Sequence, residues 1–133
     1  MYGAFTALVG LVLGPKAEYV CSMSPLNRAS HNLLNRHTAR WFEGETLFAR
    51  LGRTLCEAEA LPRKEFFEAW ESAKRIRRQM RGGEILEVAA GHGLLSAVLL
   101  ILDDSSPGAL LVDPRKPASF DKIHDVITAR WPR

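Results

Sequence analysis

Residues 85–102 of this 133-residue chain read ILEVAAGHGLLSAVLLIL. The apolar run Ile85–Val88 has the length of a buried strand, and the longer apolar run Leu94–Leu102 has that of a helix. Between them, Gly91 and Gly93 lack a Cβ, which allows positive φ values and lets a ligand lie against the main chain at a helix N-terminus. The segment therefore predicts a strand, a nucleotide-binding turn and a helix.

A second apolar run, Ala109–Val112, follows this helix and ends in Asp113. The intervening residues 103–108 are aspartate, serine, proline and glycine, which are typical of a loop. In a parallel sheet the carboxyl ends of both strands lie at one edge, where such sheets bind their ligands. Asp113 is therefore expected to face the glycine turn, where its carboxylate can accept hydrogen bonds from ribose hydroxyl groups.

The E-x-A-x-G-x-G spacing of residues 87–93, with an acid at the end of the next strand, resembles the first two motifs of class I S-adenosylmethionine-dependent methyltransferases. The G-H-G-L-L turn and the V-D-x-R-x-P strand end are similar to one methyltransferase-domain group in particular. The resemblance covers residues 45–133. It implies S-adenosylmethionine as the cofactor and a methyl acceptor that the sequence does not identify.

The resemblance also implies residue roles. In this family the acid before the glycines and the glycine backbone hold the methionine part of the cofactor, while the acid that ends the second strand holds the ribose. Carried over, the cofactor-binding residues are Glu87, Ala89, Gly91, Gly93 and Asp113. His92, between the two glycines, is expected to assist cofactor binding. No catalytic residue is assigned, because methyl transfer mainly needs in-line positioning of the nucleophile.

The turn departs from the family pattern at Ala89, which stands where such turns commonly have their first glycine. An alanine can follow a strand without a positive φ, although its methyl group narrows the space for the ligand. The dinucleotide fingerprint G-x-G-x-x-G is not matched, because its three glycine positions hold Ala89, Gly91 and Leu94. S-adenosylmethionine is therefore favoured over a nicotinamide cofactor.

The predicted fold class is α/β: a partial Rossmann-like methyltransferase fold of two parallel strands with helices, preceded by an N-terminal helical region. The predicted boundaries are 1–24 for an apolar extension, 25–81 for the helical region and 82–133 for the cofactor-binding unit. After Asp113 the pattern predicts only one more helix, over residues 119–129. A class I methyltransferase sheet has further strands, so the chain is expected to correspond to the first half of such a domain.

Residues 25–80 show no alternating strand pattern and predict two or three helices. Four apolar residues lie on one face of a predicted helix over residues 44–59: Leu47, Leu51, Leu55 and Ala58. Pro62 marks the start of the next helix, because proline is well tolerated in a first turn. The aromatic residues of that helix are expected to belong to a core that covers a small sheet: Phe66, Phe67 and Trp70.

The composition, 47% hydrophobic and 25% charged, is that of a soluble globular protein. The net charge of +3 is uneven, since residues 1–80 hold twelve Lys and Arg against eight Asp and Glu. Cations near a helix C-terminus interact well with its dipole, and Glu71 can pair with Arg75. The alternative is a surface for RNA phosphates formed by Arg75, Arg77, Arg78 and Arg81.

Neither cysteine, Cys21 or Cys56, has a metal-binding spacing, and no second cluster supplies further ligands. No structural metal and no disulfide scaffold are expected, and the cytoplasm is the expected compartment. The remaining histidines form no motif: His31, His37 and His124.

Residues Met1–Gly14 are almost wholly apolar. The run is shorter than the roughly twenty residues of a membrane-spanning helix, and Lys16 follows it instead of preceding it as in an export signal. We therefore expect no membrane association. The segment is expected to pack on the domain, or to be an upstream extension left by a misplaced start codon.

Three functions stay open at this point. The first is an S-adenosylmethionine-dependent methyltransferase. The second is a non-catalytic interaction module, in which a second copy or a partner chain completes the sheet through its free edge and the apolar helical stripe. The third is an RNA-binding accessory that uses the basic segment.

Overall fold

A computed structural model describes Gly10–Leu11, Tyr19–Val20 and residues 26–132. Strands β1 (Gly10–Leu11) and β2 (Tyr19–Val20) form an antiparallel pair. The rest of the 1–24 extension, on which the packing and export predictions fall, lies outside the described residues. None of the described helices has both the length and the apolar character needed to cross a membrane.

The helical region contains a short 3₁₀ helix (Thr38–Trp41) and the helices α1 (Leu47–Ala58) and α2 (Arg63–Gln79). Helix α1 begins after Thr46, whose Oγ1 accepts a hydrogen bond from the backbone N–H of Ala49 at 3.2 Å. Pro62 precedes α2, as its tolerance of the first turn predicts. Helices therefore form in this part of the chain, as the pattern predicted.

The α/β unit runs β3 (Ile85–Val88), α3 (Leu94–Leu102), β4 (Ala109–Val112) and α4 (Phe120–Arg130). Strands β3 and β4 are parallel, with Ile85 opposite Ala109 and Val88 opposite Val112. The α/β class and the two parallel strands are confirmed. The carboxyl ends of both strands therefore lie side by side, next to the turn that follows β3.

The core joins the helical region to the α/β unit, because α1 packs on α4 and α2 packs on α3. The fully buried side chains of the helical region include Leu34, Leu51, Leu55, Leu61 and Phe66. The Phe66 ring lies 5.1 to 5.7 Å, between centroids, from three neighbouring phenylalanine rings. The core prediction for Phe66 and Phe67 is confirmed, and Trp70 packs on this cluster while partly buried.

Arg77 of α2 is 7% exposed and ties α2 to the C-terminal part of α3. Its Nε and Nη2 donate to the carbonyl oxygen of Leu99 at 3.1 and 2.9 Å, and Nη2 donates to Oγ of Ser106 at 3.0 Å. The last carbonyl groups of a helix lack intrahelical donors and carry partial negative charge. The buried guanidinium therefore supplies hydrogen-bond donors to a carbonyl oxygen in the last turn of α3 and to the hydroxyl group of Ser106 in the loop that follows.

The two faces of the β3–β4 sheet differ. On one face, Leu111 lies beside a cavity walled by α3 and α4. The opposite face, called the bare face below, consists of four apolar side chains that are 46 to 70% exposed: Leu86, Val88, Leu110 and Val112. Parallel sheets normally have both faces covered. Among the described residues this sheet has a cover on one face only.

Candidate cofactor site

The turn after β3 follows an unusual backbone path. Ala89, Gly91 and Gly93 all have positive φ values, of 56°, 52° and 64°. Ala89 thus adopts a positive φ, although an alanine can follow a strand without one. The backbone N–H of the next residue, Ala90, donates to the carbonyl oxygen of Val112 at 3.2 Å. This hydrogen bond extends the pairing of β3 with β4 into the turn. A left-handed alanine costs about 1 to 2 kcal/mol, so the surrounding contacts hold this strain.

The two glycines of the turn are required for different reasons. A Cβ at Gly93 would contact Cδ1 of Leu111, the flexible end of a side chain, so glycine is needed there mainly for its positive φ and also allows close packing on β4. A Cβ at Gly91 would meet no atom within 4 Å. Gly91 therefore supplies the turn geometry and leaves open space beside the backbone, on the side where a ligand is predicted.

Asp113 connects the ends of the two strands. Its Oδ2 accepts a hydrogen bond from the N–H of Gly91 and its Oδ1 accepts one from the N–H of Arg115, both at 2.9 Å. These N–H groups, first that of Arg115 and then that of Gly91, lower the pKa of the carboxyl group. The residue is exposed, and each carboxylate oxygen can accept a further hydrogen bond. The predicted meeting of Asp113 with the glycine turn is confirmed.

Glu87 makes contacts that the sequence did not predict. Its Oε2 accepts hydrogen bonds from the backbone N–H of Ser96, at 3.0 Å, and from the Ser96 hydroxyl group. Ser96 lies in the first turn of α3, where backbone N–H groups lack intrahelical acceptors. Glu87 thus caps α3 with one carboxylate oxygen. A cofactor contact through Glu87 would use the other oxygen, so the residue supports the site partly by holding α3.

His92 is held by three neighbours from distant parts of the chain. Its Nε2 lies 3.0 Å from Oε2 of Glu65, and its Nδ1 lies 2.8 Å from Oγ of Ser119. Its carbonyl oxygen lies 2.7 Å from Nε2 of His124. Sequence reasoning missed all three partners and took His124 as a histidine without a motif. No local pattern could have found these partners, because Ser119 and His124 lie 27 and 32 residues from His92 in the sequence.

A cavity of about 210 Å³ lies at the carboxyl ends of the strands, lined by Ala90, Gly91, Leu111, Asp113, Lys116 and Phe120. Two of the six predicted cofactor residues, Gly91 and Asp113, line it directly. Ligand pockets commonly measure about 300 to 1,000 Å³, so this cavity encloses only part of a nucleoside-sized ligand. The glycine turn and the acid form one wall of this cavity.

No family model matches this chain, and neither the curated proteins nor the solved structures include a match. The assignment of the cavity therefore rests on its own chemistry. That chemistry consists of open backbone beside Gly91, a helix N-terminus at α3 and the carboxylate of Asp113.

The basic segment is divided by burial. Arg77, one of the four arginines of the predicted RNA surface, is buried against Leu99 and Ser106, so it is unavailable to phosphates. Arg75, Arg78 and Arg81 are exposed. The expected pair of Glu71 with Arg75 is replaced by a salt bridge from Glu71 to Lys74 at 3.0 Å. An RNA surface in this region would have three cations instead of four.

Cys56 is buried and lies 3.3 Å, Sγ to Oγ1, from Thr38. Burial raises the pKa of its thiol, which keeps the group protonated and unreactive at neutral pH. Within residues 26–132 and the two short strands, no three His, Cys, Asp or Glu side chains are grouped as metal ligands. Cys21 lies outside the described residues.

Proposed function

We propose that this chain is the cofactor-binding part of a Rossmann-like, S-adenosylmethionine-dependent methyltransferase. The observation that carries the proposal is the hydrogen bond from the Gly91 N–H to Asp113, which brings a glycine turn and a strand-end acid to one cavity. The open backbone beside Gly91 suits the methionine part of the cofactor. The free acceptor positions of Asp113 suit the two hydroxyl groups of a ribose.

The remaining predicted residues have supporting roles in this proposal. Ala89 and Gly93 shape the turn, Glu87 holds α3 in place, and His92 fixes the turn to α2 and α4. The acceptor substrate is unassigned. The free thiol of Cys56 suits the reducing cytoplasm, where we place the protein.

The test is calorimetric titration of the folded protein with S-adenosylmethionine and S-adenosylhomocysteine. We expect saturable binding that Asp113→Ala weakens by roughly 10 to 100 fold, because a hydrogen bond to a charged group contributes about 1.5 to 3 kcal/mol. Asp125→Ala, which removes an exposed acid of α4, is the matched control and should bind like the wild type. Absence of binding to folded wild-type protein at millimolar cofactor would overturn the proposal.

The bare face favours a second candidate, a module that associates with another chain. Contiguous exposed apolar residues on a parallel sheet mark a surface that a partner covers, either a second copy or a chain that completes the sheet. Sedimentation velocity of the wild type should show concentration-dependent association. The double variant Leu86→Lys, Leu110→Lys should sediment as a monomer, and a wild type that is monomeric at all concentrations would exclude self-association.

A further inference from the structure

A hydroxyl group, an imidazole and a carboxylate form one hydrogen-bonded chain that joins the residue before α4, the turn after β3 and helix α2. Ser119 Oγ lies 2.8 Å from Nδ1 of His92, and Nε2 of the same ring lies 3.0 Å from Oε2 of Glu65. Serine hydrolases combine the same three groups, with Nε2 of the histidine beside the serine and Nδ1 beside the acid. Here the two ring nitrogens are exchanged, since Nδ1 faces Ser119 and Nε2 faces Glu65. In the proposed cofactor site Glu65 and Ser119 only hold His92 in place.

The contacts determine where the protons lie in the neutral imidazole. An ionised carboxylate only accepts hydrogen bonds, so the ring nitrogen beside Glu65, Nε2, carries the hydrogen. Nδ1 of His92 is then the acceptor, and the hydroxyl group of Ser119 donates to it. This is the arrangement in which an imidazole can remove the proton of a serine as the serine attacks.

The position of Ser119 supplies the other requirement of acyl transfer, donors for a developing oxyanion. Ser119 directly precedes α4, and its carbonyl oxygen accepts the first intrahelical hydrogen bond, from the N–H of Ile123 at 3.1 Å. The N–H of Phe120 donates to the carbonyl oxygen of Pro117 at 3.0 Å, so the donors left for an oxyanion are the N–H groups of Asp121 and Lys122, which have no intrahelical acceptor and carry partial positive charge. A negative oxygen formed beside Ser119 would lie at this helix terminus.

We propose that Ser119 is a nucleophile activated by His92 and Glu65, and that the chain hydrolyses small carboxylic esters. The ester would enter the strand-end cavity, whose wall includes Phe120, the residue after Ser119, together with the apolar side chains of Ala90 and Leu111. A cavity of about 210 Å³ limits the acyl group to a short apolar chain. The ester would occupy the same cavity as the proposed cofactor, so the two ligands should compete for it.

The reaction needs only the ester and water. Oγ of Ser119 bonds to the carbonyl carbon as its proton passes to Nδ1 of His92, and the imidazolium is stabilised by Glu65. The alcohol leaves with that proton, which gives an acyl-serine. Water then adds to the acyl carbon, again with its proton passing to His92, and the carboxylic acid leaves as the serine is regenerated.

The test is labelling of the full chain with an alkyl fluorophosphonate, followed by mass spectrometry of the intact protein and its peptides. The probe forms an Oγ–P bond and loses fluoride, so it reports an activated serine without turnover. We expect one label, on Ser119. His92→Gln should slow labelling by about 100 fold, as is typical when a general base is removed, and Glu65→Gln should slow it by less.

Matched variants separate the proposal from a structural role. Ser119→Ala should lose the label, and Ser105→Ala, which removes an exposed serine, should keep it. If the three groups only hold the turn, one of two results is expected. Folded wild-type protein will stay unlabelled, or the His92→Gln variant will be labelled as fast as the wild type. Either result overturns the proposal. Circular dichroism of each variant checks folding. Should Ser119→Ala unfold, Ser119→Cys replaces it, with alkylation at residue 119 expected to depend on His92.

The outcome is distinguishable from that of the cofactor titration. A protein that binds S-adenosylmethionine but resists the probe supports the proposed function and refutes the esterase. A protein that is labelled at Ser119 without binding the cofactor does the reverse.

Discussion

The helical region and the β3–β4 sheet bury their apolar residues to different extents. In the helical region Leu51, Leu55 and Phe66 are completely buried, whereas on the bare face Leu86 and Val88 are 63 and 70% exposed. Within the described residues, therefore, the helices bury their apolar side chains in a complete core, whereas no element covers the bare face of the sheet.

The physical reason lies in how each element satisfies its backbone. A helix makes its hydrogen bonds internally and needs one apolar stripe covered, which α1 and α2 achieve against each other's aromatic residues and against α3 and α4. A parallel strand needs neighbours at its edges and cover on both faces. In the part of the chain that the structure describes, the two strands of this sheet leave two free edges and one bare face.

The largest expected contrast is between a core residue and a bare-face residue. Phe66→Ala should destabilise the fold by about 3 to 5 kcal/mol, because it leaves a cavity among packed aromatic rings. Leu110→Ala should change the free energy of unfolding by no more than about 0.5 kcal/mol, since its side chain is 65% exposed. Urea denaturation of both variants measures the difference. Equal losses would mean that the bare face is covered in solution.

The connection between the two regions is tested at Arg77. Arg77→Met should cost about 3 kcal/mol, because it leaves the carbonyl oxygen of Leu99 and the hydroxyl of Ser106 without their buried donor. Arg78→Met, one position along the same helix, removes an exposed cation and should be nearly neutral. Thermal denaturation compares them. A neutral Arg77→Met would show that α3 does not depend on this contact.

The two glycines of the turn should respond differently to alanine. Gly93→Ala combines a left-handed φ with a close approach to Leu111, and should cost about 2 to 3 kcal/mol. Gly91→Ala adds only the backbone strain, about 1 kcal/mol, because its Cβ would meet open space. Chemical denaturation measures both. A larger loss at Gly91 would contradict this packing of the turn on β4.

Replacement of the left-handed Ala89 by glycine should increase the stability of the fold. Ala89→Gly should stabilise the fold by up to about 1 kcal/mol, because glycine adopts a φ of 56° without steric cost, although it also gains freedom in the unfolded chain. Ala90→Gly is the matched control and should be destabilising. Differential scanning calorimetry detects the shift in Tm, and a lower Tm for Ala89→Gly would argue against a left-handed backbone at this position.

The smallest expected effect concerns the pH dependence of Asp113. Its pKa is below the ordinary value of 3.8 because backbone N–H groups donate to the carboxylate. A carboxyl group whose pKa is lowered by folding stabilises the fold above its unfolded pKa, and this contribution disappears as the pH falls through the folded pKa. The Tm difference between wild type and Asp113→Asn should therefore be constant above pH 3.8 and shrink below it. A difference that does not depend on pH would exclude this contribution.

Most elements of the fold were predictable from the sequence, because the signals are local. Strand length, helical periodicity, the proline before α2 and the glycines after β3 each act over a few residues. The position of Asp113 beside Gly91 was also predictable, since consecutive parallel strands bring their carboxyl ends together.

Three features of the structure depend on contacts between distant segments and could not be predicted from local sequence patterns. His92 meets Glu65 and Ser119 only after α2 and α4 pack around the turn. The left-handed Ala89 is held by tertiary contacts against its own conformational preference, and Arg77 is buried among residues more than twenty positions away. Local patterns specify which elements form, but packing free energy determines which side chains meet, where strain is kept and which charges are removed from solvent.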